Sequence, residues 1–319
     1  MSEAAWITMW VLLSLLVFLP ILVIAFTGSL FLFTMKKSKS GKFNVPFMDI
    51  SFYLNSPIMD MIKDGIAYMK QAKQEDIEVK SFDGLTLRGY YFPAPNGNHK
   101  KVVVGMHGFK SSPANEYSPY IKFYHSMGYD MIIPYERAHG KSAGKYISMG
   151  VHERLDTVSW ANYAVQKLGD DIEILLHGVS MGAAAVASSS CENLPQQVKG
   201  IISDCAFNSV FDETIFQLNH SFHIPKMFVY LCNIFAKIFI KYDFKSNSAE
   251  QAVKNSKVPI LFVHGRLDQI VPVESSIRLY NACTSKKKLF IVENANHAES
   301  FARDNEEYVK TFKEFFNID

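Results

Sequence analysis

The sequence predicts an α/β protein: a mostly parallel sheet flanked by helices, with a helical cap inserted late in the sheet and an apolar helix ahead of it. Three observations carry this. Six short apolar runs, at 102–106, 131–135, 172–176, 198–204, 259–264 and 289–292, alternate with helical patterns, as buried parallel strands joined by crossover helices do. The alternation then stops over 207–256, which holds no strand pattern and is rich in phenylalanine. Finally, no charged residue occurs from Ala4 to Met35.

That uncharged stretch is longer than the ~20 residues a helix needs to cross a bilayer. Trp6 and Trp10 suit an interfacial belt, and Pro20 is tolerated within a span. A cleaved leader would need a basic front, a shorter apolar core and a small-residue cleavage site; the front here is Met-Ser-Glu. Residues 1–35 are therefore expected to be a retained single-pass anchor whose partner is the lipid bilayer. Lys36, Lys37, Lys39 and Lys42 follow it, against Glu3 alone before it. The positive-inside rule then puts the rest of the chain in the cytoplasm, at the cell membrane, where the same lysines can meet anionic lipid.

Residues 36–75 read as a basic linker and an amphipathic helix. Pro57 suits the helix start, and Ile58, Met61, Ile62, Ile66 and Met69 recur at helical spacing. The main domain is expected over 76–319. It opens with a hairpin, 77–81 and 85–92, turning at Asp83-Gly84. Helices are expected at 153–168, 183–192, 274–282 and 300–316. The 207–256 insertion contains MFVYLCNIFAKIFI, too short for a second span and interrupted by Lys237. It is expected to be a lid over the C-terminal edge of the sheet, with Phe211, Phe228 and Phe235 lining an apolar substrate pocket; Phe222 is another phenylalanine of the insertion.

Composition narrows the function. At 48% apolar and 20% charged, the 319 residues can bury a core. A net charge of +2 gives no basic footprint for nucleic acid. Cys191, Cys205, Cys232 and Cys283 have no metal-binding spacing and read as buried free thiols. No metal and no cofactor is expected.

The chemistry gathers at Gly178-Val179-Ser180-Met181-Gly182. A predicted strand runs into this G-x-S-x-G and a small-residue helix runs out, which is the sharp turn that exposes a nucleophilic serine. A serine hydroxyl needs a base. Of ten histidines, His297 sits after the last strand and before the last helix, where a base would have to stand. His107, His177 and His264 each precede or follow a glycine at a strand end and read as turn-shaping. A carboxylate must orient the base. Asp268 lies in the loop after the preceding strand and gives the order Ser, Asp, His; Asp204 is the rival, at the end of the strand after the elbow. The oxyanion donors are expected from the backbone N–H groups of Phe109, after the strand 102–106, and Met181, after the serine.

These parts together resemble the α/β-hydrolase superfamily over roughly 77–317. Pro134–Gly144, PYERAHGKSAG, is similar to the D-x-R-G-H-G-x-S loop of the monoglyceride-lipase and serine-aminopeptidase-like branch, departing from it at Glu136 and Ala138. The resemblance implies a metal-free serine hydrolase acting on esters, thioesters or amides. The apolar cap and the anchor tilt the expectation to carboxylic esters of short or medium acyl chains or lipids. A peptidase, amidase or thioesterase is the alternative within the fold. A catalytically silent, membrane-bound binding module is the alternative outside enzymes.

Overall fold

The structure, a computed structural model, describes residues 2–37, 56–221, 223–246 and 248–318. Lys39, Lys42 and Phe222 lie outside the described residues, as does much of the expected linker.

Helix α1 (Glu3–Met35) is capped by the Ser2 hydroxyl, which accepts from the Ala5 amide at 3.3 Å, and runs through Pro20. Its large side chains are exposed from Trp6 to Phe26, whereas Gly28 and Phe31 are buried against the rest of the chain. The chain leaving α1 is stitched to the main domain. Lys36 forms an antiparallel bridge with Tyr146, and Ile147 N–H donates to Met35 O at 2.8 Å. Helix α2 (Pro57–Gln71) begins at the Ser56 cap with proline in the first turn. It packs on α3 (Pro113–Ser126) at a point where only glycine fits: a Cβ on Gly65 would lie 1.9 Å from Ser118 O.

Eight strands form one sheet: β1 (Glu75–Lys80), β2 (Thr86–Phe92), β3 (Lys101–Met106), β4 (Tyr129–Pro134), β5 (Glu173–Val179), β6 (Val198–Asp204), β7 (Ile260–Gly265) and β8 (Lys287–Val292). Their order is β1-β2-β4-β3-β5-β6-β7-β8. The pairs β1–β2 and β2–β4 are antiparallel and every later pair is parallel. Side chains alternate between faces. Val102, Val104 and Ile132 join one core with Trp160 of α4 (Glu153–Leu168), Val186 of α5 (Met181–Ser189) and Leu279 of α9 (Glu274–Ala282). Val103, Met131 and Ile133 join the other with Tyr117 and Tyr124 of α3, Phe301 of α10 (Ser300–Arg303) and Phe312 of α11 (Asn305–Phe316).

The expected elements are present with shifted ends. The small-residue helix starts at Met181 because the serine turn leads directly into it. The expected terminal helix is broken at Asp304, whose φ of −139° and ψ of 62° leave the helical region. Cys191 is exposed, unlike the other three thiols, which corrects the expectation of four buried cysteines. The insertion is helical among its described residues: α6 (Val210–His220), α7 (Phe228–Phe235), a π-helical turn (Ala236–Ile240) and α8 (Ala249–Val253). A third apolar cluster joins this cap to the molecule. Phe31 of α1, Val229, Cys232 and Phe244 of the cap, Met181 of the serine turn and Ile270 pack together.

Candidate active site

Ser180 sits where β5 meets α5, with φ 57° and ψ −117°, in the left-handed region that a side chain rarely adopts. Two glycines permit it. A Cβ on Gly178 would lie 2.2 Å from Gly182 O, and one on Gly182 would lie 1.9 Å from Met106 O. The turn is held by Ser180 N–H donating to Asp204 O at 2.8 Å and by Ser180 O accepting from the Ala184 amide at 3.0 Å. The hydroxyl thus stands at the C-terminal edge of the sheet beside a helix N-terminus, where the dipole favours developing negative charge.

Two strands further on, the loops after β7 and β8 meet. His297 Nδ1–H donates to Asp268 Oδ2 at 2.7 Å. The other carboxylate oxygen, Oδ1, accepts from the Ile270 and Val271 amides, each at 2.8 Å. Burial alone would raise Asp268. The facing His297 and a hydrogen bond from His264 instead hold it well below the usual carboxylate range. Burial alone would lower His297, but the Asp268 carboxylate keeps the imidazole well above its ordinary value. Asp204 does not take this role. It is fully buried, accepts from Tyr120 Oη at 3.4 Å, and is pushed up to about 7 by burial. Its neighbour Cys205 places Sγ 4.0 Å from His297 Nε2. Since the Asp204 carbonyl also anchors Ser180, β6 links the histidine to the serine turn. Cys205, Asp268 and His297 bring one ligand atom each within 4.8 Å of one another. Burial pushes the Cys205 thiol up to about 12.

His264 has a part that its glycine neighbour did not reveal. Its Nε2 lies 3.1 Å from Asp268 Oδ2 and 3.0 Å from Val271 O, and its Nδ1 lies 2.6 Å from Ser276 Oγ. With Nε2 carrying the proton, it donates to both oxygens while Nδ1 accepts from the serine. It braces Asp268 from behind. A sequence signal existed in the spacing: Asp268 stands four positions after His264, across one loop.

Opposite the serine, the loop after β3 carries Phe109. The amides on either side are engaged: Gly108 N–H donates to Glu116 at 2.9 Å and Lys110 N–H to His139 Nε2 at 3.0 Å. Among the described residues the Phe109 amide makes no hydrogen bond. Met181 opens α5, so its amide has no acceptor within the helix. His107 supports the loop, accepting at Nε2 from the Glu136 amide at 3.1 Å; burial holds it down at about 4 and therefore neutral. Arg137 clamps Asp156 at 2.6 Å and Asp83 at 3.0 Å. Ala138 has φ 57°, a conformation that explains why glycine is usual there in the resembling loop.

A cavity of about 590 Å³ opens on Ser180, Phe109 and Met181. The cap supplies Thr214, Leu218, Ile224, Phe228 and Cys232 to its wall. Of the three phenylalanines expected there, Phe228 lines it. Phe211 instead meets Tyr230 edge-on at 5.7 Å, and Phe235 covers Gly28 of α1. Sequence reasoning also missed two groups. Leu22, Val23, Phe26, Thr27, Leu30, Phe31, Thr34 and Met35 make α1 a wall of the cavity. Glu213 of α6 lines it too, buried by the fold. Its carboxyl accepts from Gln217 Nε2 at 2.8 Å, and among the described residues its Oε2 has no partner. Burial pushes this carboxyl up to about 8.

The strand order, the glycine-flanked serine turn and the positions of the loops are those of the α/β-hydrolase fold, and the chemistry defined on it is that of a serine hydrolase. The model of the prolyl oligopeptidase family matches residues 142–318, more than half the chain and all of it from the serine turn onward. The chain belongs to that family. Among curated proteins it is similar to YqkD of Bacillus subtilis, 26% identical over 78% of this chain and 81% of that one. It is also similar to bem46 of Schizosaccharomyces pombe, 23% identical over 68% of each. Among solved structures, the Pyrococcus furiosus esterase Pf2001 superposes with a TM-score of 0.64 at 23% identity, covering 78% of this chain and 92% of the esterase. Pyrococcus horikoshii acylaminoacyl peptidase superposes with a TM-score of 0.58 at 18% identity, covering 79% of this chain and 43% of the peptidase. At these identities the structural likeness carries the fold alone. The finer placement in the monoglyceride-lipase and serine-aminopeptidase-like branch does not follow from these matches.

Proposed function

We propose that this chain is a membrane-anchored serine hydrolase that cleaves carboxylic esters of apolar acyl groups, with its catalytic domain on the cytoplasmic side. The observation that carries the reading is the mainly apolar cavity opening on Ser180, with the Phe109 and Met181 amides beside the serine. Ser180 Oγ attacks the acyl carbonyl while His297 Nε2 takes its proton. Asp268 fixes the proton on Nδ1 and stabilises the imidazolium. The two amides hold the oxyanion, each such donor being worth ~2.7–4 kcal/mol of transition-state stabilisation. Collapse expels the alcohol, which leaves with the proton from His297. Water then attacks the acyl-enzyme with His297 again as base, releasing the acid and restoring Ser180.

The test is fluorophosphonate labelling and a p-nitrophenyl ester series, from acetate to decanoate, on the wild type and Ser180→Ala. Labelling and turnover are expected in the wild type and absent from Ser180→Ala. A wild type that neither labels nor turns over any ester would favour the silent binding module. A peptidase reading has one observation in its favour, the unpartnered Glu213 oxygen in the cavity, which suits a substrate ammonium group when the carboxyl, raised to about 8 by burial, is in its ionised form. Faster cleavage of aminoacyl p-nitroanilides than of acyl esters would establish it.

A further inference from the structure

Helix α1 is 33 residues long, about 50 Å at 1.5 Å per residue. A bilayer's hydrocarbon core takes ~20 of those residues. Counted from Glu3, that length ends near Leu22, which is where the cavity wall begins; from Leu22 to Met35 the helix faces the cavity. The first buried position follows at Gly28. The cavity mouth therefore falls at the depth where the free part of α1 gives way to the docked part.

The cap shows a matching surface. Met227, Tyr230, Ile234 and Ile238 are spaced as one stripe along α7 and the π-helical turn, and each is between 51% and 68% exposed. This stripe is next to α1, because Phe235, on the same helix, lies over Gly28: a Cβ there would come 2.2 Å from the phenylalanine ring. Exposed lysines flank it in sequence, Lys226 before it and Lys241 after it; within the run Lys237 is paired with Asp243 at 2.6 Å, and Lys245 places its Nζ 5.2 Å from the Tyr230 ring centroid. An apolar stripe bounded by lysines and set beside a long apolar helix has the composition of an element lying in a membrane interface.

We infer that the cap rests in the surface of the same bilayer that α1 enters, and that the cavity takes acyl chains sideways from that leaflet, along the groove between α1 and α7. The substrate class is then a membrane lipid ester, its chain against Leu22, Phe26, Leu30 and Phe228 and its ester carbonyl at Ser180. This rests on the anchored-hydrolase reading above.

The test uses the full-length chain in vesicles of equal parts phosphatidylcholine and phosphatidylglycerol. In a Cys191→Ser background, an environment-sensitive fluorophore is attached at Leu13→Cys, Ile234→Cys or Glu173→Cys, and quenching by brominated phosphatidylcholine is read. Quenching is expected at 13 and 234 and not at 173, which is exposed at the N-terminal end of β5, the end of the sheet opposite the serine turn. Quenching at 13 without quenching at 234 overturns the inference and leaves the anchor standing. No quenching at 13 overturns both. In parallel, Ile234→Glu with Ile238→Glu is expected to slow hydrolysis of a vesicle-embedded long-chain ester about tenfold while p-nitrophenyl butyrate turnover is retained. If both substrates are slowed alike in a folded variant, the groove is not the entry route. If wild type hydrolyses neither ester, the hydrolase reading itself fails. The fluorophore arm does not depend on activity.

Discussion

Asp268 accepts from two backbone amides and two histidines, so its charge is fully used by groups around it. In Asp268→Asn the amide oxygen can still take the Ile270 and Val271 amides. Its NH₂ would then face His297 and drive the imidazole proton to Nε2, the nitrogen that must accept from Ser180. Ester kcat is expected to fall roughly 10⁴-fold with folding intact. The acidic limb of the kcat/KM profile should move to lower pH, because the carboxylate that raises His297 is gone. An unchanged profile would show that the histidine titrates independently of this pair. Glu213 makes the opposite case. Its carboxyl is raised from 4.5 to about 8 by burial, so the folded chain holds a proton that the unfolded chain releases. Stability from this group is full below about pH 4.5 and is lost as pH rises through about 8. Glu213→Gln is expected to raise Tm at pH 9 and leave it little changed at pH 5. Equal shifts at both pH values would mean that the group is not buried neutral. Asp204, raised to about 7, contributes a similar slope and should remain in the variant.

At the scale of elements, the sequence was most informative where backbone geometry dictates residue type. Gly178 and Gly182 mark the serine turn because any side chain there strikes backbone. Gly182→Ala would put its Cβ 1.9 Å from Met106 O, and since neither partner is a flexible side chain, destabilisation of about 1–3 kcal/mol or more is expected in denaturant melts. A variant as stable as wild type would mean that β3 yields. The pairing of His297 with Asp268 and not with Asp204 was also legible, as Asp204 ends β6 whereas Asp268 lies in the loop after β7, next to the loop that carries His297. The facing of the cap helices was not. In a segment apolar on nearly every side, periodicity does not separate Phe228, which lines the cavity, from Phe211 and Phe235, which pack elsewhere. Nor does an uncharged run declare that its part from Leu22 onward lines the cavity. The signal for that is Gly28, where α1 and α7 approach. Gly28→Leu must displace the Phe235 ring. It is expected to loosen α1 from the cap, seen as faster amide hydrogen exchange over Leu30–Met35, with short-ester turnover preserved; unchanged exchange would show that α1 docks elsewhere.

For the whole molecule, the consequence is that α1, cap and sheet share one apolar cluster, from Phe31 through Val229 and Phe244 to Met181 and Ile270. Under the proposed function, membrane attachment and substrate selection are therefore not separable modules. Deleting residues 1–35 leaves the sheet, Ser180, Asp268 and His297 in place, but removes one wall of the cavity, including Leu22, Phe26, Leu30 and Phe31. A buried methylene contributes about 0.8 kcal/mol, or roughly fourfold in kcat/KM per CH₂ where the wall contacts the chain. In the full-length enzyme, kcat/KM should climb along the p-nitrophenyl series until the cavity is filled. In the truncated enzyme the acetate and butyrate values should change little, while the climb toward decanoate flattens, because the distal methylenes meet water where α1 stood. The two enzymes are to be compared below the critical micelle concentration of each ester, so that the slope reports the cavity and not the interface. Parallel slopes would place acyl selection in the cap alone and reduce α1 to a tether. A flattened slope would make the N-terminal helix a specificity element of the hydrolase.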